Sequence, residues 1–406
     1  MYSVICSKKE KNMKNHAQII AENRAWAEGV FEKIDNKMKA VTLRSRNKVA
    51  VDGVDADGFH KKSRLSFWTS GFWGALNYLL YEHTKDGEYL KTAKASEEGM
   101  DEAFLDIKRL HHDVGFMWHI LSGVGYRLTG DEQSRVRSLF AASMFSGRFI
   151  LNGGYIRAWN ENRVVEGGPD INEGRTIVDC MMNVPLLYWA SREIGDDRFK
   201  QIAMSHADRT ILDHIRPDGS VVHIVDRDRE SGEVIATRGG QGYAEGSSWS
   251  RGQAWGLYGF VLSYIHTGEK RYLDAAKRIA NYFIANCCDD WLPRVDFRAP
   301  AEPVYYDSTA GAIAACGLIE LGKLLPEHEG GAFTFAAVNI LRAMEQSFCD
   351  FDPANDHMLG YGSIRYPATK SDMEKVGELV HISIIYGDYF YTEAILKLMG
   401  SEFLPW

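Results

Sequence analysis

A short phrase that recurs along the chain constrains its fold more than any other feature. In each copy a helix-like segment ends, a turn containing Gly, Asp or Glu follows, and a second helix-like segment begins. The clear copies are HTKDGEYLKTA at 83–93, LTGDEQSRV at 128–136, IGDDRFKQIA at 194–203 and HTGEKRYLDAA at 266–276, and LLPEHEGGAFTFAA at 324–337 is a weaker one. The intervals between copies vary, which excludes a solenoid of fixed period and indicates a constant helical pair with variable connections.

The two segments of each pair differ in character. The segment before the turn is apolar around most of its circumference, as FWGALNYLLYEH at 72–83 shows, whereas the segment after it places charged residues between apolar ones. The first pattern predicts a buried helix and the second a helix that faces water on one side. A sixth buried segment, at 384–399, finds its amphipathic partner at 26–38. Six buried and six amphipathic helices predict an all-α fold, an (α/α)6 toroid, formed as a single catalytic domain by residues 15–406.

Three longer connections interrupt the helical pairs. Residues 152–178 and 215–247 contain short β-like runs with Gly-rich turns, the second resembling a hairpin, and residues 289–306 have an irregular, Pro-containing pattern. Each connection precedes a buried helix, so in a toroid all three would share one rim. Long loops collected on one rim are where a binding site is typically built.

Composition excludes several classes of protein. The formal net charge is −8, which disfavours nucleic acid or an anionic membrane as a partner, and no apolar stretch approaches the roughly 18 residues of a membrane span. The six cysteines form no CxxC pair, which favours reduced thiols in a cytoplasmic protein. The first apolar run precedes the basic cluster, the reverse of a secretory signal. We therefore expect residues 1–14 to be a disordered extension, with Met1 or Met13 as the natural start.

The openings of the buried helices are the candidate site, because parallel inner helices would bring them together at one end. They carry the carboxylates Asp113, Asp179, Asp307 and Asp388 and the cation Arg251. An Asp before a helix is also an ordinary N-cap, and that alternative stays open for each. Six of the ten tryptophans stand at these openings or in a rim loop, at 68, 73, 118, 159, 249 and 255. Indoles around carboxylates suit a sugar, which has apolar ring faces and a rim of hydroxyls.

Metal and nucleotide chemistry receive no support from the motifs. His111, His112 and Asp113 are adjacent but lack the spacing of HExxH or a comparable metal motif. The sequence has no GxGxxG or GxxxxGK[ST] loop, and GSSWSRG has no parallel sheet to make it a nucleophile elbow. We expect no metal and no cofactor.

At its helix openings the chain resembles the unsaturated glucuronyl hydrolases of glycoside hydrolase family 88. The matching segments begin near Trp68 and extend over nearly the whole remaining chain: WTSGFWGALNYL, HHDVGFMW, TIVDCMMNVPLLYWA, QGY followed by SSWSRGQAWGLYGF, DSTAGAIAACGLIEL and YGDYFYTEAIL. The resemblance implies the (α/α)6 toroid and an enzyme that releases the terminal 4,5-unsaturated uronic acid from oligosaccharides made by polysaccharide lyases, glycosaminoglycan fragments in particular.

The resemblance also implies residue roles. The acid/base Asp of the family corresponds to Asp179, and its second Asp corresponds to Asp113. Substrate-binding positions correspond to His223, Gln241, Arg251 and Trp255 and, more loosely, Trp159; Trp68 is added for its place among the tryptophans. Structural roles stay open: Arg251 could pair with Asp179 or Asp307, and Trp255 could belong to the core.

Related readings remain at this point. An unsaturated rhamnogalacturonyl hydrolase would share the fold and the chemistry but act on pectin fragments, and a non-catalytic sugar-binding protein would keep the tryptophans without needing paired carboxylates. A toroidal sugar epimerase would require paired His bases at the rim. Family members that prefer sulfated fragments carry a Ser/Ser/Lys set before the last inner helix, and YGSIRYPATKSDMEK at 361–375 has no clear equivalent, so sulfate tolerance is open.

Overall fold

The computed structural model describes residues 14–162 and 170–406. The expected disordered extension, residues 1–14, lies outside the described residues except for Lys14. Over the described ranges the chain forms a ring of helical hairpins, which confirms the predicted (α/α)6 toroid.

Six inner helices form the central ring, each packed beside the next and the last beside the first. They are α2 (Phe72–Thr84), a π-helix (Gly115–Gly123) that continues as α4 (Val124–Thr129), α6 (Pro185–Ile194) after a 3₁₀ turn (Val178–Met182), α8 (Ser250–Thr267), α10 (Ser308–Leu324) and α14 (Ile385–Leu398). Their side chains are buried over most of their lengths, as the apolar pattern predicted. The toroid therefore has a packed centre rather than a pore.

Six outer helices surround the ring, and each packs on the inner helix of its own hairpin. They are α1 (His16–Ser45), α3 (Gly87–Gly99), α5 (Glu132–Ser146), α7 (Arg198–His214), α9 (Lys270–Asn286) and α11 (Glu327–Ser347). A 3₁₀ turn (Met100–Leu105) follows α3, and the short helices α12 (Lys370–Glu374) and α13 (Val376–Leu379) precede α14. The chain closes on itself because α1 is the outer partner of α14.

The recurring sequence phrase is the turn between the paired helices. Gly130, Gly195 and Gly268 each end an inner helix in the left-handed conformation, and each donates its N–H to the carbonyl four residues earlier. Glycine adopts that conformation without steric cost and so ends a helix efficiently. Asp131 then accepts a hydrogen bond from the N–H of Gln133 and caps the next helix. The phrase thus encodes a helix stop followed by a helix start.

Short strands decorate the rim. The hairpin of β1 (Val51–Val54) and β2 (His60–Lys62) was not predicted. The β-like runs at 152–178 and 215–247 contain β4 (Tyr155–Ile156), β5 (Arg175–Ile177), β6 (Ile224–Arg227) and β7 (Val234–Arg238). β4 pairs with β3 (Phe149–Ile150), which lies just before the predicted segment, and β5, β6 and β7 form a three-stranded antiparallel sheet. The β6–β7 hairpin is the one that the sequence predicted. None of the described helices combines the length and apolarity needed to cross a membrane.

Candidate active site

A cavity of about 750 Å³ opens at the rim where the inner helices begin. Its wall includes the half-buried side chains of Trp68 and Gln241 and the buried side chains of Arg251 and Tyr386, with the β1–β2 hairpin on one side. These residues come from separate helix openings and a rim loop. The predicted convergence of the openings thus produces a cleft large enough for a sugar.

Asp113 lies just before the π-helix, a kind of helix that is rare and frequently found at functional sites. Its side chain is 9% exposed; Oδ2 lies 3.3 Å from His111 Nδ1, and Oδ1 lies 3.4 Å from His112 Nε2. Phe116, three residues later, packs its ring against Trp68 with ring centroids 5.5 Å apart. Asp113 is therefore a buried carboxyl on a helix opening whose Phe116 contacts the cavity wall.

Asp179 lies on the 3₁₀ turn that precedes α6, and its side chain is 13% exposed. Its Oδ2 lies 3.3 Å from His223 Nε2 but makes no hydrogen bond of good geometry to any described residue. The backbone N–H of Gln241 donates to His223 Nδ1 at 3.1 Å, so in the neutral ring Nε2 carries the proton and faces Asp179. His223 thus links Asp179 to Gln241, a residue of the cavity wall.

Asn183 joins the two carboxylate-bearing segments. Its Nδ2 donates to Asp113 Oδ1 and to the Asp179 backbone carbonyl, both at 3.2 Å. Its Oδ1 accepts the N–H of Phe116 at 2.8 Å. The side chain is fully buried. Sequence reasoning missed this residue, although it stands four positions after Asp179 on the segment that gave the strongest match.

Burial governs the protonation of Asp113 and of the neighbouring imidazoles of His111 and His112. It raises the pKa of Asp113 well above its ordinary value, and the nearby charge of Asp179 raises it further. Burial also lowers the pKa of His111 to about 4, with Arg148 contributing, and lowers that of His112 well below its usual range. Both imidazoles are therefore neutral near pH 7 and do not compensate a charge on Asp113.

Arg251 lies at the cavity wall but is held by the protein. Its Nη1 lies 2.5 Å from Asp307 Oδ2 and also donates to the Ser363 carbonyl, and Nη2 donates to the Ile364 carbonyl at 2.8 Å. Asp307 also accepts the N–H of Thr309, which makes it the N-cap of α10. The structural alternative for Arg251, pairing with Asp307, is therefore realised in the structure, and its predicted contact with substrate stays a prediction.

The tryptophans do not form the ring around the cleft that the sequence suggested. Trp68 is half-buried in the cavity wall, and Trp159 is half-buried in the rim loop, with the Arg175 guanidinium 5.9 Å from the centre of its ring. Trp255 is 1% exposed and packs against Phe116 with ring centroids 5.0 Å apart. The other three, at 73, 118 and 249, are buried as well. Four of the six therefore belong to the core, and only two present a face toward the rim.

Gln241 is positioned by its own contacts. Its side-chain Nε2 donates to the Ile364 carbonyl at 2.5 Å, and its backbone carbonyl accepts the N–H of Tyr366 at 2.8 Å. The preceding Gly240 has φ +61°, and a Cβ there would lie 2.1 Å from His223 Nδ1. Only glycine lets the backbone approach His223 this closely.

One described cluster has the composition of a metal site. His111, His112 and Asp113 place their donor atoms within 4.8 Å of one another. Two imidazoles and a carboxylate are ligands that Zn²⁺ accepts. Here the three come from consecutive residues, and Asp113 Oδ1 already accepts a hydrogen bond from Asn183. Among the described residues, His111 Nδ1 and both ring nitrogens of His112 are buried without a hydrogen-bond partner, and we derive no metal chemistry from the cluster.

The chain is similar to known proteins over most of its length. No protein-family model matches the chain. It is 36% identical over 338 residues to the unsaturated glucuronyl hydrolase of Bacillus sp. (strain GL1), covering 82% of this chain and 86% of that protein. It is 32% identical over 335 residues to the unsaturated chondroitin disaccharide hydrolase of Streptococcus pyogenes serotype M1, covering 81% and 80%.

A solved structure extends the similarity to the fold. The crystal structure of the unsaturated glucuronyl hydrolase from Bacillus sp. GL1, described as responsible for the degradation of glycosaminoglycan, matches with a TM-score of 0.80 at 32% identity. The match covers 91% of this chain and 97% of that one. The chain therefore belongs to the unsaturated glucuronyl hydrolases, glycoside hydrolase family 88, and is a glycoside hydrolase.

Proposed function

We propose that this chain releases the terminal 4,5-unsaturated uronic acid from lyase-generated oligosaccharides of the glycosaminoglycan type, with Asp179 as acid and then base. The observation that carries the residue assignment is the pair of carboxyls, Asp113 and Asp179, which Asn183 holds together. His223 joins Asp179 to Gln241 in the cavity wall. The relatives named above act, by name, on unsaturated glucuronyl and chondroitin disaccharide substrates. The catalytic unit is the whole toroid, residues 15–406.

The reaction differs from ordinary glycoside hydrolysis because the sugar contains a vinyl ether, C4=C5–O5. A carboxyl of Asp179 donates its proton to C4, and the electron pair of the double bond forms the new C–H bond, leaving oxocarbenium character at C5. Water then attacks C5 while Asp179 takes one of its protons. The resulting hemiketal opens and expels the neighbouring sugar. One residue thus serves as acid and base in turn.

The surroundings of Asp179 suit it to donate a proton to C4 and then to accept one from water. Its side chain is 13% exposed, and its buried Oδ2 lies 3.3 Å from His223 Nε2, so the exposed part of the carboxyl would face the substrate. The carboxyl of Asp113 is near enough for the two charges to interact, and two neighbouring carboxyls bind one proton more tightly than either would alone. The pair can therefore hold a proton, which Asp179 would deliver to C4.

The other predicted residues would bind the sugar. Trp68 offers an aromatic face at the cavity wall, and Trp159 offers one at the rim. Gln241 and Arg251 face the cavity, and His223 can donate from Nε2 next to Asp179. Trp255, being buried, would act by supporting Phe116 rather than by touching the sugar.

We also propose a cytoplasmic location. The cysteines in the described ranges, at 180, 287, 288, 316 and 349, are all free. Free thiols fit a reducing compartment, although that preference is a general one.

The test follows the absorbance of the conjugated 4,5-double bond with unsaturated chondroitin, hyaluronan and heparin disaccharides. We expect that absorbance to fall with at least one of them, and its persistence with all three would reject the function. Asp179→Asn should lower kcat by about 10²- to 10⁴-fold, the usual contribution of a general acid–base group, with KM little changed. Full activity of that variant would show that another group supplies the proton.

A further inference from the structure

Asn183 makes contacts that an ordinary buried asparagine does not require. It bonds the carboxyl of Asp113, the backbone of Asp179 and the backbone of Phe116 at the same time. These three partners come from two inner-helix openings, and the contacts to Asp113 and Phe116 span 70 and 67 residues of sequence. The amide is therefore the direct link between the two halves of the carboxyl site.

The orientation of the amide is determined by its neighbours. The N–H of Phe116 can only donate, so the atom that receives it must be Oδ1, and the NH2 group must face Asp113. Gly115 leaves the space for this arrangement, because a Cβ there would lie 2.6 Å from Asn183 Cα and 2.7 Å from Oδ1. An NH2 group can only donate, so Asp113 Oδ1 is an acceptor.

We propose that Asn183 is a positioning residue of the reaction: its N–H group holds Asp113 Oδ1 as an acceptor, which orients that carboxyl and favours its ionised form. This inference rests on the function proposed above. Any proton that Asp113 does take is confined to Oδ2, on the side of His111. The amide thereby decides which oxygens of the pair can exchange a proton during turnover.

Other charged and titratable groups also act on Asp113. They are the carboxylate of Asp179, the imidazoles of His111 and His112, the guanidinium of Arg148 and the thiol of Cys180. Burial and Asp179 raise the pKa of Asp113, whereas the hydrogen bond from Asn183 and the charge of Arg148 lower it. Asn183 differs from these groups because it donates a hydrogen bond to the Asp113 carboxyl, so its removal should act on that carboxyl directly.

The test replaces the amide by a group of the same shape that cannot donate when ionised. Asn183→Asp keeps an oxygen for the Phe116 N–H and loses the donor to Asp113. Because the variant loses a hydrogen bond to a charged group, we expect kcat to fall by roughly 10- to 100-fold, equivalent to about 1.4–2.7 kcal/mol, with KM nearly unchanged. The acid limb of the kcat/KM profile should move to higher pH, since Asp113 gains its proton more easily. Asn183→Ser, which removes the amide without adding a charge, should shift the limb in the same direction.

Asn77 supplies the matched control. It is also fully buried on an inner helix, and its Nδ2 donates at 2.9 Å to the carbonyl of Trp73, four residues earlier, as Asn183 does to Asp179. Asn77→Asp and Asn77→Ser should lower stability and leave the acid limb in place. If the Asn183 variants lose stability but keep the wild-type pH profile, the positioning role is refuted and Asn183 is structural.

A second readout does not depend on turnover. The ¹³C carboxyl resonance of Asp113, identified by its absence in Asp113→Asn, should titrate at higher pH in Asn183→Ser than in wild type. An unchanged titration would overturn the inference even in an active enzyme. If wild type fails to consume every unsaturated disaccharide, the proposed function falls, and the titration still decides whether Asn183 controls the protonation of Asp113.

Discussion

Asp307→Asn tests whether a buried ion pair builds the cavity wall. Arg251 Nη1 and Asp307 Oδ2 lie 2.5 Å apart, and the two side chains are 2% and 0% exposed. Asn can keep the other contacts of this position, because Asp307 Oδ1 accepts from the N–H of Thr309 and of Ser363. What is lost is the charge that compensates Arg251. Removing one partner of a buried ion pair costs about 3–5 kcal/mol, a large share of the roughly 5–15 kcal/mol by which domains are stable.

The assay is thermal unfolding followed by circular dichroism. For a chain of 406 residues, a loss of this size should lower the midpoint by about 4–6 °C. Arg365→Gln is the matched control, because Arg365 and Asp372 are also 2.5 Å apart but the Arg side chain is 46% exposed. Exposed pairs contribute about 0–1 kcal/mol, so the control should shift the midpoint by no more than about 1 °C.

Kinetics separate a stability effect from an effect on the site. Arg251 also holds the carbonyls of Ser363 and Ile364, so its displacement should disturb the wall next to Gln241. We expect KM to rise more than kcat falls. A midpoint within about 2 °C of wild type, together with an unchanged KM, would refute the reasoning that this pair holds the wall.

Three further predictions follow from single residues. Asp113→Asn should lower kcat and change the kcat/KM pH profile, since it removes a carboxyl whose pKa is raised by burial and by the charge of Asp179; an unchanged profile would leave Asp113 a structural residue. Gly240→Ala should lower the free energy of unfolding in urea by about 1–3 kcal/mol and reduce kcat, because its Cβ would meet His223, and wild-type values for both would contradict the close approach. Burial raises the pKa of Asp388 to about 7, so the folded state keeps a proton that the unfolded state releases near pH 4. Wild type should therefore lose roughly 4 kcal/mol of stability as the pH rises from 4 to 7, and Asp388→Asn should lack this loss; equal pH dependence in urea unfolding would disprove the assignment.

The ring of helices was predictable because its signals are local. A glycine in the left-handed conformation and a capping Asp, as at Gly130 and Asp131, act within one turn of the chain. Once the hairpins are recognised, parallel inner helices require their openings to meet at one rim. The approach of Asp113 to the Asp179 segment follows from that topology, as does the position of Arg251 at the cavity.

The parts that the sequence did not reveal depend on contacts across the ring. Nothing in the sequence marks Asn183, which lies in the turn before α6, because Phe116 and Asp113 come beside it only in the folded chain. The prediction of a tryptophan ring was wrong for a different reason. The tryptophans do lie near the helix openings, but the sequence does not tell which way their side chains point. Trp255 is buried in the core, whereas Trp68 lies in the cavity wall.

The proposed function requires an anionic sugar to bind next to two carboxyls in a chain of net charge −8. Arg251 alone does not solve this, because Asp307 already compensates its charge. The carboxyl pair solves part of it, since a proton held by the pair removes one negative charge from the place where the uronate arrives. The same proton is the one that the proposed reaction transfers to C4. Burial of Asp113 would thus serve binding and catalysis together: it keeps the pair singly charged until substrate is bound, and it provides the proton when the double bond is in place.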